Sequence, residues 1–192
     1  MKNNERKEVI TQVAQLIFSK YGLLKTTIGD IAKAARMGKA SLYHYFDSKE
    51  EIYKEVVEQE YKFLKEKIGD AISKENDPRK KLRIYFLKKM ENLKNLANIH
   101  SALKDDYLDH YAFVEKIRIK NNKEEQLRIK EILQEGENKG IFQIDDIELT
   151  AFAIITALKG LEYAWTIDVP LHKIEVNINK LMEILFNGIV KR

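Results

Sequence analysis

The chain has 192 residues, 44% of them hydrophobic and 33% charged, with only 8 Gly and 2 Pro to punctuate it. Few turns separate long regular segments, the profile of a mostly helical protein large enough for one domain or for a small module joined to a larger one. Cysteine is absent, which excludes disulfides, Cys-type zinc sites, iron–sulfur clusters and thiol catalysis. Residues 1–8 are polar and the longest apolar stretch, 151–158, is broken by Lys159, so neither secretion nor a membrane span is expected and the reading is a cytoplasmic protein.

The net charge of +4 is unevenly placed. Residues 1–46 carry eight basic side chains (Lys2, Arg6, Lys7, Lys20, Lys25, Lys33, Arg36, Lys39) against three acidic ones (Glu5, Glu8, Asp30), while the remaining 146 residues are close to neutral. A small basic segment ahead of a neutral body is the electrostatic footprint expected of a polyanion-binding head, although a few lysines can also serve solubility alone.

Hydrophobic periodicity predicts helix after helix. The first covers about 6–20, with Val9, Ile10, Val13, Leu16, Ile17 and Tyr21 at helical spacing and Gly22 as its stop. A short second helix begins at Thr27, where Thr27-Ile28-Gly29-Asp30 has capping-box spacing and Ile31, Ala34 and Ala35 supply the apolar face. A third spans about 39–46, and Asp47 or Ser48 can cap a long fourth over 49–72. Asn76-Asp77-Pro78 opens a fifth, reaching about residue 98 with Leu82, Phe86, Met90, Leu93 and Leu96 on one face. A short irregular helix over 101–111, a longer one over 113–138 closed by Lys139-Gly140, and two more over 147–167 and 172–190, divided by Asp168-Val169-Pro170, complete an all-α chain of about nine helices.

The two short helices joined by Ala35-Arg36-Met37-Gly38 form a helix-turn-helix candidate, in which the second helix enters the DNA major groove. Counting about 100° per residue from Leu42, Phe46 falls near 40° and Tyr45 near 300°, so Leu42 and Phe46 bind this helix to its own domain. Ala40, Ser41 and His44 fall near 160°, 260° and 200°, facing away. A small residue, a hydroxyl and an imidazole suit close approach to base edges. Lys39 at the helix start is long enough to reach either a phosphate or guanine acceptors, and Tyr43 can offer its hydroxyl from the flank.

The run from Thr26 to Glu51, and above all Leu42-Tyr43-His44-Tyr45-Phe46-Asp47-Ser48-Lys49-Glu50-Glu51, resembles the DNA-binding signature of the TetR family of bacterial repressors. The resemblance covers roughly the first 55 residues; the rest agrees only in helix number and length. It implies that Thr27, Tyr43, Tyr45 and Lys49 contact phosphates and that Lys39, Ser41 and His44 face bases. Helix amino termini, with their free N–H groups, are where phosphates settle. Three positions depart from the family pattern. Arg36 replaces the turn glycine, at a cost on the order of 1 kcal/mol if the position is left-handed, so either the turn is strained or Arg36 repays it with a phosphate contact. Gly38 replaces a capping serine, and Gly29 replaces a longer polar side chain.

The expected division is a helix-turn-helix DNA-binding domain over 1–48 and a helical ligand-binding and dimerisation domain over 49–192. Between Glu148 and Asp168 the only charges are Lys159 and Glu162, so this helix is buried on more than one side. Ile154, Ile155, Leu158, Leu161 and Trp165 form one face; Ala153, Ala157, Gly160 and Ala164 form a small-residue stripe that admits another helix closely. With Ile174, Ile178, Leu181, Leu185 and Ile189 of the last helix, these residues are read as half of a four-helix homodimer interface, as in TetR relatives. Phe63, Phe86, Met90, Tyr107, Phe113, Phe152 and Trp165 are candidate lining for an apolar or planar effector.

Catalysis has no support in the sequence. Asp105, Asp106, Asp109 and His110 stand at helical spacing and such a group could bind a metal, but the remaining histidines are scattered and a solvated helix face accounts for the group. Phosphate-binding glycine loops, nucleophile elbows and dinucleotide fingerprints do not occur. The leading expectation is a homodimeric repressor, with no cofactor, that binds a palindromic double-stranded DNA operator and releases it for a small effector. The alternative is a regulator of the same fold under a protein partner or without an effector, and an unrecognised helical enzyme stands third.

Overall fold

The computed structural model describes residues 2–93, 96, 98 and 112–189, with side chains for all of these except 2–3, 112–115, 118, 163–168 and 188–189. The elements among the described residues are helices: α1 (Lys2–Lys25), α2 (Ile28–Ala34), α3 (Lys39–Tyr43), α4 (Lys49–Ile72), α5 (Pro78–Leu93), α6 (Ala112–Asn138), α7 (Ile147–Asp168) and α8 (Leu171–Ile189). The helix expected over 101–111 lies outside the described residues. Two compact units form, Met1–Lys62 with Leu96–Glu115, and Phe63–Asn95 with Lys116–Arg192.

In the first unit the amino-terminal helices follow from local chemistry. Gly22, at φ 75° and ψ 167°, breaks the helical course of α1 where the sequence predicts a stop, and the buried Thr26 hydroxyl donates to the carbonyl freed there, Gly22 O, at 2.8 Å. Ile31, Ala32 and Ala35 turn the inner face of α2 into the core. Ala34 is exposed, a correction to the sequence reading: on a helix of only seven residues Ala32, one position after Ile31, takes the inward place. Ile10, Ala14 and Phe18 of α1 complete this core, and the Phe18 ring meets Tyr53 of α4 edge-on at 5.1 Å.

A buried polar network holds α1 to α4. Gln15 Nε2 and Asn98 Nδ2 both donate to Glu60 Oε1, at 2.9 and 2.7 Å; Asn98 Nδ2 also reaches the Gln15 carbonyl at 3.2 Å, and the Tyr53 hydroxyl donates to the Asn98 carbonyl at 3.1 Å. Because Tyr53, Glu60 and Asn98 are buried and Gln15 half-buried, each bond offsets a desolvation cost and fixes one register of the two helices.

In the second unit α5 packs against α7 and α8. Leu82, Phe86, Met90 and Leu93 of α5 are buried as the periodicity predicts, with Ile154, Ile155 and Leu158 of α7 and Ile174, Ile178 and Met182 of α8. Gly140, at φ 64°, ends α6, and the Phe142 ring folds back so closely on Gly136 that a β-carbon there would overlap it. An ion cluster crosses this core: Lys89 Nζ of α5 lies 2.5 Å from Glu125 Oε2 of α6 and 2.5 Å from Glu162 Oε1 of α7. Burial alone would pull the Lys89 ammonium down, but Glu125 and Glu162 more than offset that and hold its pKa well above the ordinary lysine value. Burial likewise pushes the Glu162 carboxyl up, against the opposing pull of Lys89.

Removing one member of such a cluster strands the others. Lys89→Met leaves two carboxylates facing each other in the core and is expected to lower stability by about 3–5 kcal/mol in urea unfolding. Adding Glu125→Leu and Glu162→Leu to it should restore most of the loss; a triple variant no more stable than the single one would show that the cluster is not the cause.

Candidate nucleic-acid interface

The helix-turn-helix segment is built by two caps and one anchored helix. At the start of α2 the Thr27 amide and hydroxyl both donate to Asp30 Oδ2, at 2.9 and 2.6 Å, while the Asp30 amide donates to Thr27 Oγ1 at 3.2 Å, the reciprocal capping box read from the sequence. These bonds from Thr27 hold the Asp30 carboxyl below its usual 3.8, with Lys33 and Lys39 adding smaller contributions. At the other end of α2, Met37 N–H donates to Ala32 O at 2.9 Å and Arg36 N–H to Lys33 O at 3.2 Å. That pair of bonds is a Schellman closure, and it puts Arg36 in the left-handed position at φ 53°. Among the described residues Arg36 is the one non-glycine with positive φ.

Gly38 then opens α3 from an extended conformation with no side-chain cap. The helix is shorter than expected: regular turns end at Tyr43, and 3.3 and 2.9 Å bonds from His44 N to Ser41 O and Tyr45 N to Leu42 O tighten the last turn. The facing is nevertheless that of the periodicity. Leu42 is 0% and Phe46 2% exposed, whereas Lys39, Ala40, Ser41, Tyr43 and His44 are all exposed and Tyr45 is half-buried on the flank. Thr27 and Arg36 are exposed as well, so a continuous outer surface runs from the amino end of α2 across the turn to α3.

Ser48, of the two residues suggested by the sequence, caps α4: Glu51 N–H donates to Ser48 Oγ at 3.1 Å, and the Glu51 carboxylate reaches back to the Asp47 amide at 2.6 Å. Lys49 is half-buried, and its Nζ donates to the Leu23 carbonyl at 2.8 Å, leaving two N–H directions for another acceptor. The sequence does not disclose this bond, since nothing local to Lys49 points to a carbonyl twenty-six positions upstream.

The predicted effector lining is not brought together. Phe86 and Met90 are buried in the core, but Phe63 is 44% and Phe152 55% exposed. On α4 the inward stripe is Tyr61, Leu64 and Ile68, which turns Phe63 outward under Lys67, whose Nζ sits 5.3 Å from the ring centroid; on α7, Ala151, Ile154 and Ile155 take the inward places and leave Phe152 outside. Tyr107 and the side chains of Phe113, Trp165 and Ala164 lie outside the described residues, as do Asp105, Asp106, Asp109 and His110.

What the second unit does present is a groove of about 440 Å³ on α5, α7 and α8, lined by Phe86, Ala153, Ala157, Ile178, Leu181 and Leu185 among others. Ala153, Ala157 and Gly160 are exposed, Leu181 and Leu185 are half-buried at its wall, and Ile184 beside them is 71% exposed. Ile178 differs from the expectation of a freely presented interface residue: it is buried within the chain and lines the groove. Among the described residues no helix is long and apolar enough to cross a membrane.

Comparison with known proteins agrees with this geometry. The family model described as "Bacterial regulatory proteins, tetR family" matches residues 10–56, which contain α2, α3 and both caps. The HTH-type transcriptional repressor KstR2 of Mycolicibacterium smegmatis is 31% identical over 150 residues, covering 75% of this chain and 71% of the relative. The HTH-type transcriptional regulator QacR of Staphylococcus aureus is 25% identical over 191 residues, 96% of this chain and 98% of that protein. Among solved structures, a transcriptional regulator from Cytophaga hutchinsonii superposes with a TM-score of 0.79 at 25% identity, over 96% of this chain and 98% of its own.

Two outcomes follow from the caps. Arg36→Gly should raise stability by about 1 kcal/mol in urea unfolding, since glycine carries no left-handed penalty; no gain would mean that Arg36 is compensated within the fold. The lowered Asp30 pKa makes the capping box a contribution that is present above the ordinary carboxylate value and lost as pH falls through the lowered one. Asp30→Asn should therefore melt at a lower temperature than the parent at pH 7, with the difference shrinking as the pH is taken below 3.8; a gap independent of pH would rule out the carboxylate as its source.

Proposed function

The chain belongs to the TetR family of bacterial regulatory proteins, DNA-binding transcriptional regulators and not enzymes, and on that premise we propose that it acts in the bacterial cytoplasm as a homodimeric repressor of a palindromic operator. The observation that carries this reading is the facing of α3: Leu42 and Phe46 are engaged in the core, so Lys39, Ala40, Ser41, Tyr43 and His44 remain for DNA. Ser41 and His44 supply donors and acceptors suited to base edges, with Ala40 small enough to let them close. Arg36, Tyr43, Tyr45 and Lys49 surround them with hydroxyls and cations suited to phosphates, with Thr27 beside them at the amino end of α2, and phosphate contacts set register and orientation.

One short recognition helix makes few base contacts, and a two-fold copy doubles them on an inverted repeat. The groove on α7 and α8 supports a second copy as its cover. Ala153 and Ala157 in its lining, continued along α7 by the exposed Gly160, permit close helix approach, and Leu181, Leu185 and the exposed Ile184 offer apolar area that water would otherwise meet. Residues 1–48 thus serve as the reading head and 49–192 as the body that dimerises and takes an effector.

The effector proposed for that body is small and largely apolar or aromatic, and it acts by binding more tightly to a head spacing that misfits the operator. The exposure of Phe63 and Phe152 favours a second reading beside it, in which the same fold answers to a protein partner or to no small molecule.

Selection of bound duplexes from a random pool tests the whole. An inverted repeat should emerge, and Ser41→Ala or His44→Ala should change the preferred bases within each half, while Lys49→Ala should weaken all sequences alike and shallow the log–log salt dependence by about one unit for each phosphate no longer neutralised. If neither Ser41→Ala nor His44→Ala alters the selected sequence, those residues do not read bases.

A further inference from the structure

The side chain of Lys39 does not stand with Ser41 and His44. On the same count of about 100° per residue from Leu42, Lys39 falls near 60°, beside Phe46 and on the side of α3 that faces α2. Its course is marked at Gly29. A β-carbon built on that glycine would stand 2.7 Å from Lys39 Cε and 3.1 Å from Lys39 Nζ, and 3.5 Å from Thr27 Oγ1. The end of the lysine therefore lies across the bare backbone of the first turn of α2, in the space a side chain at position 29 would fill, and its ammonium flanks the same point as the Thr27 hydroxyl.

No ion pair holds it there. Among the described residues Lys39 Nζ has no hydrogen bond or ion pair, and its influence on Asp30 is the smallest among the causes that lower that carboxyl. All three of its N–H donors remain open to an external acceptor. Beside Gly29 the lysine ammonium is the open donor on the outer surface that carries the recognition helix, because the Thr27 hydroxyl already gives its one proton to Asp30 Oδ2.

Resting on the reading of this unit as a DNA-binding head, we propose that Lys39 is a clamp on the DNA backbone, holding a phosphate rather than reading a base, and that Gly29 is the positioning residue that puts it there. A side chain at 29 and the present course of Lys39 exclude each other, because carbon atoms do not pack at 2.7 Å. The glycine that removes one DNA-contacting side chain thus admits another from the neighbouring helix. The base-reading set contracts to Ala40, Ser41 and His44, and sequence preference comes from fewer side chains than the family pattern suggests.

A double-substitution cycle distinguishes this role from a structural one. Gly29→Ala improves the helix propensity of α2 and meets only the flexible end of Lys39, so thermal melting should not fall. The probes are the duplex enriched from a random pool by the wild-type chain and a scrambled duplex of the same length. Lys39→Ala should weaken binding to both by the same factor, about fivefold, without changing the enriched sequence, and should lower the salt slope by about one unit per protomer. Gly29→Ala should weaken both in the same way when Lys39 is present and have no effect in the Lys39→Ala background. A change in preferred base on Lys39→Ala, or effects of the two substitutions that simply multiply, would overturn the inference while leaving the DNA-binding reading intact. A wild-type chain that enriches no duplex at all would overturn both.

Discussion

The arrangement of the reading head depends on the burial of two side chains, Leu42 and Phe46. Helix α3 is five residues long, too short to hold its shape by its own hydrogen bonds. It exists because those two residues, four positions apart on one face, are removed from water in the core of the first unit, a contribution of about 1.5–3 kcal/mol for each. The same burial sets the rotation of the helix. Once Leu42 points inward, Ser41 and His44 have no choice but to point out, and the chemistry of the exposed face is determined by which residues the sequence places between the anchors.

The turn ahead of α3 shows how a fold accepts a local cost for a residue that chemistry wants. The chain closes two helices with the same pair of reverse-turn hydrogen bonds. At the end of α6 the left-handed position is filled by Gly140, at φ 64°; at the end of α2 it is filled by Arg36, at φ 53°. The backbone requirement is the same in both, and glycine satisfies it without penalty. An arginine there keeps its strained conformation because Ala32, Ala35 and Leu42 on either side of the turn are fixed in the core. What distinguishes the two positions is their surroundings: Arg36 lies on the outer surface shared with Thr27, Ser41 and His44, where a guanidinium can meet a phosphate.

Much of this head is legible in the sequence, because its determinants are local. The capping box of Thr27 and Asp30, the stop at Gly22 and the inward pair Leu42 and Phe46 each depend on spacings of three or four residues, which helical periodicity exposes directly. Legibility ends where the determinant is distant or the segment too short to average. Ala32 rather than Ala34 faces the core because a seven-residue helix offers only two turns, and the neighbours decide its rotation. Composition alone assigns Phe63 and Phe152 to a pocket, yet Tyr61 and Leu64, and Ala151 and Ile154, hold the inward positions beside them. The Lys89–Glu125–Glu162 cluster joins three helices across the chain, and in the sequence each member looks like one more charge on a solvated face.

The distant interactions also explain why the helices of the first unit act as one piece. Lys49 ties the start of α4 to the carbonyl of Leu23, and Glu60 gathers Gln15 of α1 and Asn98 around one carboxylate oxygen further along α4. Both links run from α1 to α4, so the long helix leaving the head cannot rotate about its own axis without breaking buried or half-buried hydrogen bonds. Any change that reorients α4 must therefore carry α1 with it, and with α1 the core on which Leu42 and Phe46 are seated. Within the first unit, a rotation at the start of α4 is thereby passed to the core that seats the recognition helix instead of being absorbed at a flexible joint.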